Sequence, residues 1–253
     1  MMSFRVVIPA RFDSTRLPGK VLRELDGKPM IEHVYRVAQA SGAQAVVVAT
    51  DNENVAEAVK GFGGECCMTA RDHCSGTDRL NEVAQQLGWA NDSIVVNLQG
   101  DEPLMPPALL TQAAHDLHAH SAADISTVAT RFESVGEWLD PNVVKVVLDT
   151  AGFALYFSRA PIPWDRDGHA SDTPSQPPAA AWRHIGLYAY RVAVLQRFSA
   201  LPAADIERTE KLEQLRALYN GMRIRVGIAT ERPGQGVDTE ADLQRVEGLL
   251  KQR

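Results

Sequence analysis

Phe4-Arg5-Val6-Val7-Ile8-Pro9-Ala10-Arg11-Phe12-Asp13-Ser14-Thr15-Arg16-Leu17-Pro18-Gly19-Lys20 is the stretch on which the fold reading turns. Its first residues form a short β-branched run that stops at Pro9, as a buried strand does. A polar loop follows at once and carries Arg11, Arg16 and Lys20. Arginine offers a fork of donors to phosphate oxygens and lysine a compact charge. Such a set suits a triphosphate, which carries about four negative charges. Neither Gly-x4-Gly-Lys-Ser/Thr nor Gly-x-Gly-x-x-Gly follows the strand, so the loop is neither a Walker P-loop nor a dinucleotide fingerprint. The plainer reading is a solvated connection with incidental charge, but strand position, cation density and Pro-Gly stiffening coincide against it.

Outward from this loop, strand and helix signals alternate. Pro29 opens a helix in which Met30, Ile31, Val34, Val37 and Ala38 recur at helical spacing, with Gly42 as its stop. Ala45–Ala49 reads as a strand, and Asp51 or Asn52 caps a helix to about Gly61. Gly64–Met68 is a further strand, Gly76–Leu87 a helix and Ser93–Leu98 a strand. Continuous Val/Ile runs in such alternation indicate a parallel sheet covered on both faces. Ligands bind such sheets beyond the carboxyl ends of the strands. That directs attention to the loops 9–20, 50–54 and 99–103. In the second half, Val143–Leu148 and Phe153–Phe157 flank Asp149-Thr150-Ala151-Gly152, a hairpin signal. Asp205–Tyr219 reads as one helix, Arg223–Ile228 as a strand, and Thr239–Leu250 as a final helix capped by Thr239. The Pro/Ser/Ala-rich segment 165–181 is a surface loop.

Composition narrows the function. With 253 residues the chain suits one large α/β domain, 1–253, and needs no disulfide or structural metal to hold its core. Lys and Arg number 26 against 32 Asp and Glu, a net charge of −6, which argues against nucleic acid as a partner. Cys66, Cys67 and Cys74 show neither a disulfide framework nor zinc spacing, and His73 does not supply it; reduced thiols in cytosol are expected. The amino terminus lacks a signal-peptide pattern, and no apolar run reaches the roughly 18 residues of a membrane span, so membrane insertion is not expected. His115, His118 and His120 have only Asp116 for company and read as a solvated helix face.

Several side chains remain as site candidates. Asp101 stands just past a strand end, where a carboxylate can hold Mg²⁺ against phosphates. Asp238 precedes the last helix, and its pattern alone fits an ordinary cap. Glu102 reads as a loop acid beside the site. Ser75-Gly76-Thr77 caps a helix, His184 reads as a packed strand histidine and Tyr188 as core.

Taken together, the motifs resemble the 3-deoxy-manno-octulosonate cytidylyltransferase (CMP-Kdo synthetase) family. They are Ile8-Pro9-Ala10-Arg11, Ser14 to Lys20, Gly27 to Ile31, Val48 to Asp51, Ser75 to Arg79, Asn97 to Pro103, Asn142 to Val147, Tyr156 to Arg159, Ile162 to Arg166, Arg183 to Gly186, Glu213 to Arg216 and Gly236 to Thr239. The likeness spans nearly the whole chain. It departs mildly at Cys74, where the family often has a polar residue, and in the 165–181 loop. The fold it implies is the α/β nucleotide-diphospho-sugar transferase type: a Rossmann-like, mixed and mostly parallel sheet with helices on both faces and a small antiparallel appendage.

The implied activity is transfer of CMP from CTP to the anomeric hydroxyl of Kdo, with Mg²⁺ as cofactor, for lipopolysaccharide biosynthesis. The resemblance assigns Asp101 and Asp238 to the metal. It assigns Ala10, Arg11, Arg16, Lys20, Ser75, Gly76 and Thr77 to the nucleotide. Gln99, Arg159, His184, Tyr188, Glu213 and Gln214 fall to the sugar acid, with Arg159 suited to its carboxylate. It also implies a homodimer, which the apolar segments 143–157 and 185–190 of an appendage at about 140–195 are expected to build. Two other readings stay open. One is the same chemistry on an 8-amino Kdo analogue or a sialic acid; the other is a sensor of nucleotide or sugar that turns nothing over.

Overall fold

The computed structural model describes residues 2–12, 17–73, 75–166 and 176–251. Arg16, Cys74 and much of the 165–181 loop therefore lie outside the described residues. The chain runs β1 (Phe4–Pro9), a single 3₁₀ turn (Lys20–Leu22), β2 (Glu24–Leu25), β3 (Lys28–Pro29), α1 (Met30–Ala40), β4 (Ala45–Thr50), α2 (Glu53–Gly61) and β5 (Glu65–Met68). It continues through α3 (Gly76–Gln86), β6 (Ile94–Asn97), α4 (Pro107–Ala119), β7 (Ile125–Thr130), α5 (Val135–Leu139), β8 (Lys145–Leu148) and β9 (Ala154–Ser158). Last come β10 (Trp182–Arg191), α6 (Val192–Ser199), α7 (Asp205–Glu210), α8 (Gln214–Tyr219), β11 (Ile224–Ile228) and α9 (Glu240–Leu250).

The main sheet has the order β11-β7-β10-β6-β1-β4-β5. Its ladders are parallel except around β10, which runs antiparallel to both β6 and β7. Alternate residues supply two core layers. Val6, Ile8, Val96 and Leu98 pack with α1 and α4, whereas Val7, Val47 and Val95 pack with Leu80 and Val83 of α3 and Phe198 of α6. Burial on both faces is what the continuous Val/Ile runs encode. Asn52 caps α2 by accepting from Asn54 N and Val55 N, and Thr239 caps α9, as their positions indicate. Pro29 sits just before α1, in β3 rather than in the first helical turn.

Two expectations change. The run Ile185–Tyr190 is not part of an outlying appendage. It lies in β10 at the middle of the sheet, where Ile185, Leu187 and Ala189 are buried in one core layer and Tyr190 in the other. Its apolar density reflects two-sided burial within the sheet. The segment 205–219 is two helices, because Lys211 adopts a left-handed conformation (φ 54°) between α7 and α8. Arg216 of α8 then folds back on Glu207 of α7, donating from Nε at 2.9 Å and from Nη2 at 2.5 Å.

The 143–157 hairpin does form an antiparallel extension. β8 pairs with β9 and, through Trp182↔Val146 and Arg183↔Lys145, with the first residues of β10. Its turn is built on Asp149, whose Oδ1 accepts from Ala151 N and Phe153 N at 2.8 Å each. Gly152 (φ 75°) lies against Arg225 of β11, and a Cβ there would come within 1.7 Å of Arg225 Nη1, which donates to Gly152 O at 2.7 Å. Gly152→Ala combines a left-handed backbone with loss of that docking contact. It should lower unfolding stability by about 1–3 kcal/mol in urea titration. An unchanged midpoint would mean that the hairpin tip does not depend on β11.

Candidate active site

Lys20 lies in the 3₁₀ turn that closes the β1 loop, and its ammonium stands between two carboxylates. It contacts Asp101 Oδ2 closely and Asp238 Oδ1 at 3.2 Å. These aspartates are 137 positions apart in sequence, and a backbone bond brings them together: Val237 N donates to Asp101 O at 2.9 Å. Gly236 allows the approach, since a Cβ there would sit 2.8 Å from Glu102 Oε1 and 3.2 Å from Asp101 O. Asp238 is then held by the start of α9. Asp242 Oδ2 accepts from Asp238 N (3.2 Å), Thr239 N (2.9 Å) and Thr239 Oγ1 (2.8 Å). Burial works against the Lys20 charge, but attraction and hydrogen bonding from Asp101, then from Asp238, outweigh it and hold the lysine pKa above its ordinary value.

Glu102 differs from its neighbour. Burial, reinforced by the charge of Asp101, pushes its carboxyl up to about 8, so it is mostly protonated at neutral pH. The oxygen pair left for a cation is Asp101 and Asp238. That donor set fits Mg²⁺, which takes one or two carboxylates and fills its remaining positions with water and phosphate oxygens. Among the described residues no three His, Cys, Asp or Glu side chains close around one point.

A cleft of about 620 Å³ opens from these aspartates. Of the residues selected from sequence, Gln99, Asp101, Arg159, His184, Tyr188, Gln214 and Asp238 line it. His184 and Tyr188 share one face of β10 and continue an aromatic row: Phe157 to His184 (5.0 Å between centroids), His184 to Tyr188 (5.3 Å) and Tyr188 to Tyr190 (6.0 Å). A bulge at Gly186–Leu187, where the register with β7 shifts, sets that face towards the cleft. The Thr127 hydroxyl fills the bulge, 2.7 Å from Leu187 O and 3.0 Å from His184 Nε2. Donating to the carbonyl, it accepts from Nε2–H, which leaves Nδ1 as the ring's acceptor. Burial lowers the His184 pKa to about 3, so the ring is neutral. His184 and Tyr188 are therefore packed strand residues whose side chains also line the cleft.

The nucleotide candidates among the described residues are linked to one another and, through Glu213, to the cleft's neighbourhood. Ala10 is fully buried at the end of β1, and a Cβ on Gly76 would lie 3.4 Å from the Pro9 ring. Arg11 Nη2 donates to His73 O at 2.5 Å, bridging the β1 loop to the turn before α3. Ser75 caps α3 by accepting from Asp78 N. Thr77 turns inwards and donates to Glu213 Oε2 at 2.9 Å. Glu213 is thus tied to the Ser75–Thr77 turn; burial raises its carboxyl pKa against the hydrogen bonds of Ser75 and Thr77. In the 50–54 loop, Asp51 is engaged by buried Arg79 of α3, Nη2 to Oδ2 at 2.7 Å. Arg183, Asn142 and Lys211 also line the cleft. Arg183 and Asn142 belong to quoted motifs but carried no signal of their own, and Lys211 reaches the rim only because the chain reverses there.

A cytidylyltransferase family profile matches residues 5–224. The chain belongs to that family. It is 54% identical over 250 residues to the 3-deoxy-manno-octulosonate cytidylyltransferase of Thioalkalivibrio sulfidiphilus (strain HL-EbGR7), covering 99% of this chain and 100% of that protein. It is 56% identical over 251 residues to the protein of the same name from Alkalilimnicola ehrlichii (strain ATCC BAA-1101 / DSM 17681 / MLHE-1), covering 99% and 97%. The structure of a CMP:2-keto-3-deoxy-manno-octonic acid synthetase complexed with CTP superposes with a TM-score of 0.89 at 43% identity, covering 99% of each chain. This cytidylyltransferase therefore shares both fold and chain length with those relatives.

The α9 cap gives a test of how Asp238 is held. Burial opposes the Asp242 charge, but hydrogen bonds from Thr239, Arg245 and the Asp238 and Thr239 amides lower its pKa. A depressed carboxylate stabilises above its unfolded pKa and loses that contribution as pH falls through the folded one. Asp242→Asn should cost about 0.5–2 kcal/mol near pH 7. The gap from wild type should narrow as pH drops below the ordinary aspartate range, read by melting temperature against pH. A gap independent of pH would remove the charged cap.

Proposed function

We propose that this cytidylyltransferase transfers CMP from CTP to the anomeric hydroxyl of Kdo, releasing pyrophosphate. The observation that carries this reading is the layout of one cleft. Lys20, Asp101 and Asp238 stand at one end, and Arg159, His184, Tyr188 and Gln214 line the rest.

Each part has a matching task. Arg11, Arg16 and Lys20 bind the triphosphate and offset the charge of the departing pyrophosphate. Ala10 and the Ser75–Thr77 turn bring backbone close to the cytidine. Arg159 takes the sugar carboxylate, and neutral His184, Gln99, Tyr188, Gln214 and, behind them, Glu213 form the polar surround of a hydroxylated acid. The sugar hydroxyl forms a bond to the α-phosphorus as the bond to the β-phosphate oxygen breaks, and its proton passes to solvent. No protein nucleophile is needed, since alignment and charge stabilisation supply the rate. Mg²⁺, held by Asp101 and Asp238, would polarise the phosphate and increase the acidity of the attacking hydroxyl.

Pyrophosphate release with CTP, Mg²⁺ and Kdo tests the assignment, with an 8-amino analogue and a sialic acid in parallel. Kdo should be the preferred acid, and absence of release with all three would favour a sensor. Asp101→Asn and Asp238→Asn should each cut turnover by roughly 10²–10³-fold, with melting temperature retained. Near-normal turnover in either variant removes that residue from the metal site.

We further propose a homodimer working in the cytoplasm. Among the described residues no helix is long and apolar enough to cross a membrane. Leu155 on β9 is 61% exposed and Val147 of β8 is half-buried, whereas Leu148 packs on the core, so the surface around Leu155 is the apolar one proposed for a second copy. Light scattering should give a mass near twice the 27.7 kDa of one chain. A mass equal to one chain rejects the dimer.

A further inference from the structure

Lys145 opens β8 with its side chain wholly buried. Its ammonium donates to three backbone carbonyls: Asp140 O at 2.6 Å, Val143 O at 2.7 Å and Arg159 O at 2.7 Å. Three acceptors saturate the three N–H bonds of an ammonium. Among the described residues no carboxylate lies within ion-pair distance of it. Burial, opposed by Asp140 and aided by Arg159, lowers the lysine pKa. A cation so placed is an expensive way to fill space, because an apolar side chain of similar volume avoids the desolvation.

All three acceptors belong to one wall of the cleft, which Asp140, Val143 and Arg159 line. Arg159 is clamped there from several sides. Its N donates to Glu210 Oε2 (2.9 Å), its Nε to Glu210 O (2.7 Å) and its Nη1 to Pro141 O (2.9 Å). Lys145 holds its carbonyl. The guanidinium Nη2 has no hydrogen-bond partner among the described residues. The same lysine ties down both ends of the loop that receives Nη1, since Asp140 and Val143 flank Pro141. On its other side, Lys145 pairs in register with Arg183 of β10, next to His184.

We infer that Lys145 is a positioning residue for the sugar acid: it fixes Arg159 and the 140–143 loop in the geometry that receives a carboxylate. Because no carboxylate pairs with it, its charge also adds to the positive field on that wall. The inference rests on the proposal that this half of the cleft takes Kdo.

Steady-state kinetics on Lys145→Met, Arg159→Ala and the double variant test it, with CTP affinity measured by calorimetry. Lys145→Met should raise KM for Kdo tenfold or more while CTP affinity and kcat stay within threefold. In the Arg159→Ala background it should add less than threefold, since it acts through that residue. Equal losses for both substrates, or no Kdo effect where Arg159→Ala is Kdo-selective, would overturn the inference. An Arg159→Ala variant without Kdo selectivity would instead overturn the sugar reading, and the inference with it. If Lys145→Met does not fold, ¹⁵N-lysine NMR of the wild-type protein decides. The Lys145 ammonium, shielded from exchange, should give a resonance that shifts with Kdo and not with CTP in EDTA. A resonance indifferent to Kdo overturns the inference.

Discussion

A hydrogen bond from Val237 N to Asp101 O joins the loop after β6 to the segment before α9, and the meeting of the two aspartates depends on it. Without that closure, Asp101 and Asp238 would be carboxylates on unrelated parts of the surface. With it they face one ammonium, and Lys20 offsets a repulsion that would otherwise push them apart. Each neighbouring feature serves the same closure. Gly236 has no side chain because Glu102 fills the space where one would stand. Glu102 itself is held largely neutral, so the pocket does not gather a third negative charge. Asp242 fixes the amides that follow, with its charge facing the helix start where it is stabilised.

The other end of the cleft depends on β10. An antiparallel strand between β6 and β7 enters the sheet from the edge at which the parallel strands end. Its first residues therefore reach the ligand side, and its later residues fill the core. The bulge at Gly186–Leu187 separates the two duties, and Thr127 closes it. Phe157, His184, Tyr188 and Tyr190 form a row of edge-on and tilted ring contacts, and two of its members, His184 and Tyr188, line the cleft.

Charge in this protein is local rather than global. The chain carries a net charge of −6, yet Lys20, Lys145, Arg159 and Arg183 converge around one cleft. Lys20 and Arg183 are paired with carboxylates, whereas Lys145 and Arg159 are held chiefly by backbone carbonyls. Carbonyl dipoles fix a cation in place without cancelling its charge, which leaves that wall attractive to an incoming anion.

The first hundred residues could be read almost directly from the sequence, because strand runs, caps and loop cations there are local signals. Val6 to Ile8 and Asn52 each announce their structure within a few positions, and so, far along the chain, does Thr239. The motifs also specified the family, and with it seven of the residues that line the cleft. Tertiary structure alone decided where the second half goes. Ile185–Tyr190 reads as part of the appendage rather than of the central sheet, since a strand buried on both faces has no alternation to show its neighbours. The break at Lys211 was hidden because nothing in its residue type demands a left-handed backbone. The roles of Arg183 and Lys145 were equally silent, for burial and partners are properties of a packed site. Sequence therefore determined which chemical groups the protein carries and the local elements that hold them. Packing across the sheet determined which of those groups meet, because their meeting depends on contacts between segments far apart in the chain.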